Sequence, residues 1–145
     1  MFIKQISVFL ENVRGTLSEM TRILGSEGID LMVLSIADTA NFGIVRIIVK
    51  DEQIDRSVTI LKNAGYTVRI TNVLCVRVPD KPSGLAKILD LVDESGISVE
   101  YLYSFFRHEG DGAFIIFRLS DMEKGAQTFK EKGVKMCSQE EVDAL

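Results

Sequence analysis

Most hydrophobic positions of the chain recur at an offset of 68 residues, except around the hairpin, where the second copy carries two extra residues near residues 107–112. Three apolar positions at helical spacing occur in each copy, namely Leu17, Met20 and Leu24 in the first and Leu85, Ile88 and Val92 in the second. Such spacing places the side chains on one face of a helix. A glycine that can end the helix follows each set, at Gly28 and at Gly96. The chain is therefore predicted to contain the same unit twice.

Each copy predicts the order strand, helix, strand, strand, helix, strand. The strands of the first copy are Ile3 to Leu10, Asp30 to Ala37, Phe42 to Val49 and Tyr66 to Ile70, and its helices run from about Leu17 to Ser26 and across Ile54, Val58 and Leu61 up to Gly65. The strands of the second are Val73 to Val78, Ser98 to Phe106, Ala113 to Leu119 and Val134 to Cys137, and its helices are Leu85 to Ser95 and the stretch of Met122, Ala126 and Phe129 up to Gly133. Hairpin turns are expected at residues 38–41 and 108–112.

This order is the ferredoxin-like arrangement, βαββαβ. The predicted fold class is α+β, with two tandem repeats, antiparallel sheets and helices on one face of each sheet. The expected domains are residues 1–70 and 71–145. The linker Thr71-Asn72 is so short that the halves are expected to be held against each other. A capping-box pattern from Ser138 to Glu141 predicts a short helix after the last strand.

The third strand of each copy is apolar on both faces. The sequences are Ile44-Val45-Arg46-Ile47-Ile48-Val49 and Ala113-Phe114-Ile115-Ile116-Phe117. Two helices cover only one face of a sheet, so the other face is expected to expose Ile or Phe unless something covers it. This pattern predicts a homodimer.

Composition and charge exclude several classes of protein. The chain has 145 residues, 46% hydrophobic and 26% charged, and a net charge of −4, which is ordinary for a globular protein and not for a disordered one. The Lys and Arg residues form no basic block, which argues against nucleic acid as a partner. No stretch approaches the roughly 20 apolar residues of a membrane span, and the amino terminus does not resemble a secretory signal. We expect a cytoplasmic protein with no membrane partner.

The residues of redox and metal chemistry are few. Cys75 and Cys137 are the two cysteines, and His108 is the one histidine. Without a CxxC motif, this set predicts no metal site and no cofactor, and the cysteines are expected to stay reduced in a reducing cytosol. They could pair only if the fold brought them together.

The turn before the first helix of each copy carries a recognisable motif. Residues 80–86 read Asp-Lys-Pro-Ser-Gly-Leu-Ala, and residues 95–99 after the helix read Ser-Gly-Ile-Ser-Val. This pair resembles the ACT domain, a small regulatory module that binds amino acids. The first copy resembles it more loosely, with Asn12-Val13-Arg14-Gly15-Thr16-Leu17 and Glu27-Gly28-Ile29-Asp30-Leu31. Arg14 replaces the usual proline, Asn12 the usual aspartate, and Ser83 the usual glycine.

The resemblance implies two ACT-type repeats packed side by side, with a free amino acid bound at the interface between them. It implies these ligand-binding residues: Asn12, Val13, Arg14, Gly15, Thr16 and Leu17 in the first turn, facing Tyr101 and Tyr103; and Asp80, Pro82, Ser83, Gly84 and Leu85 in the second, facing Ser35. A helix start suits the ligand carboxylate, and the Asn12 or Asp80 oxygen suits its ammonium group. The expected role is regulatory and non-catalytic, with an enzyme of amino acid metabolism as a possible partner.

Each of these residues also has a purely structural explanation. Asn12 and Asp80 suit ordinary turns, and Arg14 suits a solvated surface. Tyr101 and Tyr103 alternate with Leu102, as in any strand with one partly exposed face.

Three other functions compete with amino acid binding. Catalysis is disfavoured because no known catalytic motif occurs, although Arg14-Gly15 faintly resembles the loop of acylphosphatases. RNA binding shares the element order, and Gly112-Ala113-Phe114-Ile115-Ile116-Phe117 resembles half of its aromatic signature, but the leading basic residue is missing. A ligand-free adaptor that binds a metabolic enzyme is compatible with the whole pattern.

Overall fold

Two units of similar topology make up the structure, a computed structural model that describes residues 2–38, 41–105 and 112–145. One unit comprises residues 4–71, and the other comprises residues 72–145 together with the first three residues. The expected boundary at residue 70 between two ACT-like domains stays a prediction. The expected hairpin turns fall on residues 39–40 and 108–111, which lie outside the described residues.

The elements follow the predicted order. The first half contains β1 (Ile3–Glu11), α1 (Thr16–Ser26), β2 (Val33–Asp38), β3 (Phe42–Ile48), a short 3-10 turn (Asp51–Gln53), α2 (Ile54–Asn63) and β4 (Thr67–Val78). The second half contains α3 (Gly84–Glu94), β5 (Val99–Phe105), β6 (Ala113–Leu119), α4 (Met122–Glu131), β7 (Met136–Cys137) and α5 (Gln139–Asp143). The 3-10 turn is the one described element that the pattern did not predict.

The strands of each unit form antiparallel pairs. In residues 4–71 the order is β2-β3-β1, with Ile36 opposite Val45 and Val8 also opposite Val45. In residues 72–145 the order is β5-β6-β4, and β7 pairs with the other side of β4. The predicted mixed α+β class with antiparallel sheets is confirmed.

Each unit has its own hydrophobic core on the helix-covered face of its strands. The core of residues 4–71 joins alternate strand positions to the helices and includes Ile6, Val8, Leu10, Val45, Ile47, Met20, Leu24 and Leu61. The core of residues 72–145 is built in the same way and includes Leu74, Val76, Ile115, Phe117, Ile88, Val92 and Phe129. Of the equivalent helical positions predicted from the offset, Met20, Leu24, Ile88 and Val92 are buried, and Leu17 and Leu85 are half-buried against the same cores.

Some strand bounds differ from the prediction. β4 is one continuous strand of 12 residues, whereas the pattern predicted two strands separated by Thr71-Asn72. Neither residue is a strand breaker, since no proline or glycine interrupts the extended backbone. β2 begins at Val33 and not at Asp30, because Ile29 still donates its backbone N–H to Leu24 at the end of α1. β7 has only two residues.

The sequence predicted that the outer face of the third strands exposes Ile or Phe unless something covers it, and these side chains are covered within the chain. Ile48 and Ile116 are 0% exposed, Phe114 is 6% exposed and Ile44 is half-buried. These side chains are therefore already removed from water within one chain, and they give no support to the predicted homodimer.

Candidate functional site

The first of the two predicted turns leads from β1 into α1. Gly15 precedes the helix with a left-handed backbone, φ 91°. No heavy atom lies within 4 Å of the place that a Cβ would occupy. Glycine is therefore favoured here by the backbone angle and not by a lack of space. The Thr16 hydroxyl lies within hydrogen-bond distance of the Val13 and Glu11 carbonyl oxygens, at 2.9 and 3.0 Å, and donates to them to close the turn.

The beginning of α1 carries no side-chain cap. The first N–H groups of a helix have no acceptor within the helix, and they give this end a partial positive charge. An anionic group that approaches α1 at Gly15 would meet these donors without displacing a protein side chain.

A cavity of about 190 Å³ opens beside this turn. Five predicted site residues border it, namely Asn12, Val13, Gly15, Thr16 and Leu17. Arg14 is exposed and is not among the described residues that line this cavity. We call this space the first-turn cavity. It is smaller than the roughly 300–1,000 Å³ of sites for drug-sized ligands, so its size suits a small metabolite.

The first-turn cavity combines negatively charged side chains, the positive end of a helix and apolar surface. Glu11 and Asp38 contribute exposed carboxylates, while α1 contributes the positive end of its dipole. Val13 and Ile36, which are 59% and 52% exposed, add apolar surface. A zwitterion can place its carboxylate toward the helix, its ammonium group toward Glu11 or Asp38, and its side chain on the apolar surface.

The second predicted turn, which leads from β4 into α3, is built differently. Ser83 holds the left-handed position before the helix with φ 67°, and its side chain does not cap the helix. Gly84 is buried, and a Cβ on it would overlap the carbonyl oxygen of Pro79. Asp80 and Pro82 are exposed and Leu85 is half-buried. The predicted residues of this turn thus lie together. Ser83 adopts the left-handed backbone conformation, and Gly84 allows the Pro79 carbonyl to approach closely.

The remaining predicted residues lie on strands. Ser35 on β2 is half-buried and lies opposite Arg46 of β3. Tyr101 and Tyr103 on β5 are half-buried and lie opposite Arg118 and Ile116 of β6. Their expected placement against the turns stays a prediction from the resemblance.

A larger cavity, of about 370 Å³, borders the same part of residues 4–71. It shares Leu10, Glu11 and Thr16 with the first-turn cavity and adds Glu19 and Tyr66. Burial, and to a lesser extent the nearby Glu19 carboxylate, raise the pKa of the Tyr66 hydroxyl. This hydroxyl is therefore a neutral hydrogen-bonding group at physiological pH.

Two other kinds of site are absent from the described part of the chain. Among residues 2–38, 41–105 and 112–145, no three His, Cys, Asp or Glu side chains are grouped so that they could hold a metal ion. Nor does any helix in that part of the chain have the length and apolar character needed to cross a membrane.

The sequence as a whole shows the family to which the chain belongs. Residues 1–145 match the family described as an ACT domain pair. The chain belongs to this family. The resemblance seen in the two turns is therefore confirmed, and it extends over the whole chain.

Solved structures place this ACT domain pair among similar folds. Protein BT0572 from Bacteroides thetaiotaomicron is 39% identical, with a TM-score of 0.90 over 100% of this chain and 98% of that one. The regulatory subunit of aspartate kinase from Thermus thermophilus is 14% identical, with a TM-score of 0.62 over 88% and 91% of the two chains. The second likeness is one of fold alone. No curated protein sequence matches the chain.

The sequence did not predict six residues that line the first-turn cavity of this ACT domain pair, namely Leu10, Glu11, Ser18, Ile36, Asp38 and Gly43. Glu11 lies at the end of β1, and Ile36 and Asp38 lie on β2. The alternation of Leu34, Ile36 and Asp38 carried a usable signal, because alternate strand residues share a face. The missing information was that this face of β2 lies beside the turn before α1.

Proposed function

We propose that this ACT domain pair is a regulatory protein that binds a free amino acid in the first-turn cavity and has no catalytic activity of its own. Membership of the family supports a regulatory role. The observation that carries the ligand class is the uncapped beginning of α1 at Gly15, which shares a small cavity with the carboxylates of Glu11 and Asp38. A carboxylate and an ammonium group on adjacent atoms of one ligand fit this pairing of charges.

The test is a thermal-shift screen of the twenty amino acids, followed by calorimetric titration of any that raise the Tm. A ligand that binds only the folded state raises the Tm with its concentration. Gly15→Val should weaken binding at least tenfold, because the branched side chain lies in the cavity and the backbone resists φ 91°.

Gly28→Val is the matched control. Gly28 also has a left-handed backbone, φ 73°, with open space around its Cβ position, but it does not line the first-turn cavity. Both variants should lose similar stability, and only Gly15→Val should lose ligand. Equal affinity in the two variants would place the ligand elsewhere.

An adaptor that binds a metabolic enzyme is the alternative. The similar Thermus thermophilus chain is named a regulatory subunit of aspartate kinase, which favours an enzyme of amino acid metabolism as the partner. If no amino acid shifts the Tm at millimolar concentration, the sensor proposal fails and the adaptor proposal remains.

We also propose that the chain forms a homodimer, through the exposed edge strand β2 and not through the third strands that the sequence suggested. β2 lies at the edge of its sheet in the described part of the chain, and its Leu34 and Ile36 are 39% and 52% exposed. An apolar edge strand can pair with a second chain. The corresponding test is given at the end of the Discussion.

A further inference from the structure

The two cysteines, which the sequence predicts to stay reduced unless the fold brings them together, lie opposite each other in the unit of residues 72–145. Cys75 on β4 and Cys137 on β7 are partners in the antiparallel register. Directly opposed residues in such a ladder have Cα atoms about 4.5–5.5 Å apart. Disulfides span Cα separations of about 4.4–6.8 Å, so the strands hold the two residues at a Cα separation that a disulfide can bridge.

The surroundings of the two thiols differ. Both are buried, at 0% and 3% exposure. Cys137 lines a cavity of about 210 Å³, and Cys75 is not among the described residues that line it. Arg77, Lys135 and Glu141 line the same cavity. A small reagent can therefore approach Cys137 next to two cations and one carboxylate, while Cys75 lies behind it.

The electrostatics favour the same asymmetry. A hydrogen bond from the Cys75 thiol, helped by Lys135 and Arg77, lowers the pKa of Cys137 against the opposing effects of burial and Glu141. The same hydrogen bond and burial raise the pKa of Cys75. Since the thiolate is the nucleophile, Cys137 reacts first.

We propose that Cys137 and Cys75 form a redox-active pair whose substrates are small disulfides that enter through the cavity at Arg77 and Lys135. The Cys137 thiolate attacks one sulfur of the substrate, forms a mixed disulfide and releases the first small thiolate. The Cys75 sulfur then attacks the Cys137 sulfur and its proton passes to the departing small thiolate, which leaves as the second thiol; the first thiolate takes its proton from solvent. The protein pair loses two electrons, and the substrate gains them as two thiols.

Oxidation would fasten β7 to β4 and, through β7, the chain that leads into α5. Ser138 is the one residue between β7 and α5, and its side chain and that of Glu141 form a capping box at the beginning of α5. A bond between residues 75 and 137 closes a long loop in the unfolded chain, which favours the folded state. This proposal is independent of amino acid binding.

The experiment exposes the purified chain to glutathione disulfide, traps remaining thiols by alkylation and measures the intact mass. The wild type should lose two hydrogens, keep no glutathione, and give a Cys75–Cys137 peptide after digestion. Its Tm should rise by about 5–10 °C and return when dithiothreitol is added. The same chain in urea should form the internal disulfide at least about tenfold less readily, because the strands no longer hold the thiols together.

Two serine variants test the order of attack. Cys75→Ser should stop at one glutathione on Cys137, because no second thiol can displace it. Cys137→Ser, in which the buried Cys75 is the remaining thiol, should react with glutathione disulfide at least about tenfold more slowly than Cys75→Ser. The proposal would be overturned if the wild type kept both thiols, carried stable glutathione, or formed the internal disulfide no more readily folded than in urea. It would also be overturned if Cys137→Ser reacted faster with glutathione disulfide than Cys75→Ser.

Discussion

Single residues decide how the two copies of the ACT turn differ. Gly15 and Ser83 occupy the same place in the repeat and share a left-handed backbone, with φ of 91° and 67°. The resemblance implied that Gly15 and Gly84 are both ligand-binding residues. In the structure, Gly15 supplies the backbone angle, whereas Gly84 makes room for the Pro79 carbonyl.

Ser83→Gly should stabilise the protein. A residue with a Cβ in the left-handed region costs about 1 kcal/mol, and Ser83 makes no capping hydrogen bond that would be lost. The free energy of unfolding in urea should rise by about 0.5–1 kcal/mol. Ser95→Gly is the control, because Ser95 has φ −80°, and it should lower that free energy.

Gly84→Ala should act in the opposite direction. The added Cβ overlaps the Pro79 carbonyl oxygen, which belongs to the backbone and cannot rotate away. We expect a loss of about 1–3 kcal/mol in the same urea experiment. Gly25→Ala, in α1 with open space at its Cβ position, should not destabilise and would separate overlap from the mere addition of a methyl group.

Helices and strands show which parts of the fold could be predicted from the sequence. Periodic apolar positions predicted all four long helices, because burial of one face is a local property of the sequence. The continuity of β4 through Thr71-Asn72 was not predicted. The repeat suggested that one strand ends and another begins there, but no proline or glycine interrupts the extended backbone. The first-turn cavity was found only in part, since the contribution of β2 depends on packing between elements distant in sequence.

Helix beginnings provide a prediction at this scale. The Asp121 side chain caps α4 by accepting a hydrogen bond from the Lys124 backbone N–H at 3.0 Å. Asp121→Ala should therefore lower the free energy of unfolding by about 1 kcal/mol. Asp121→Asn keeps the acceptor oxygen and should lose much less. If both variants lose the same amount, the capping bond is not the cause.

At the scale of the whole molecule, burial changes the argument for self-association. The sequence predicted a dimer through the apolar outer faces of the third strands, but Ile48, Phe114 and Ile116 are buried within one chain. Such faces look the same in sequence whether the chain itself or a partner covers them. The apolar surface that does remain exposed includes Leu34 and Ile36 on β2.

A lysine on this edge tests the dimer. Leu34→Lys places a charge on the exposed side of β2, and edge lysines oppose pairing between chains. In sedimentation experiments the wild type should behave as a dimer and Leu34→Lys should shift toward the monomer. Ile70→Lys is the matched control, since Ile70 is 46% exposed but lies on β4, and it should leave the dimer intact. A monomeric wild type would end the proposal, and a dimer equally stable in both variants would move the interface away from β2.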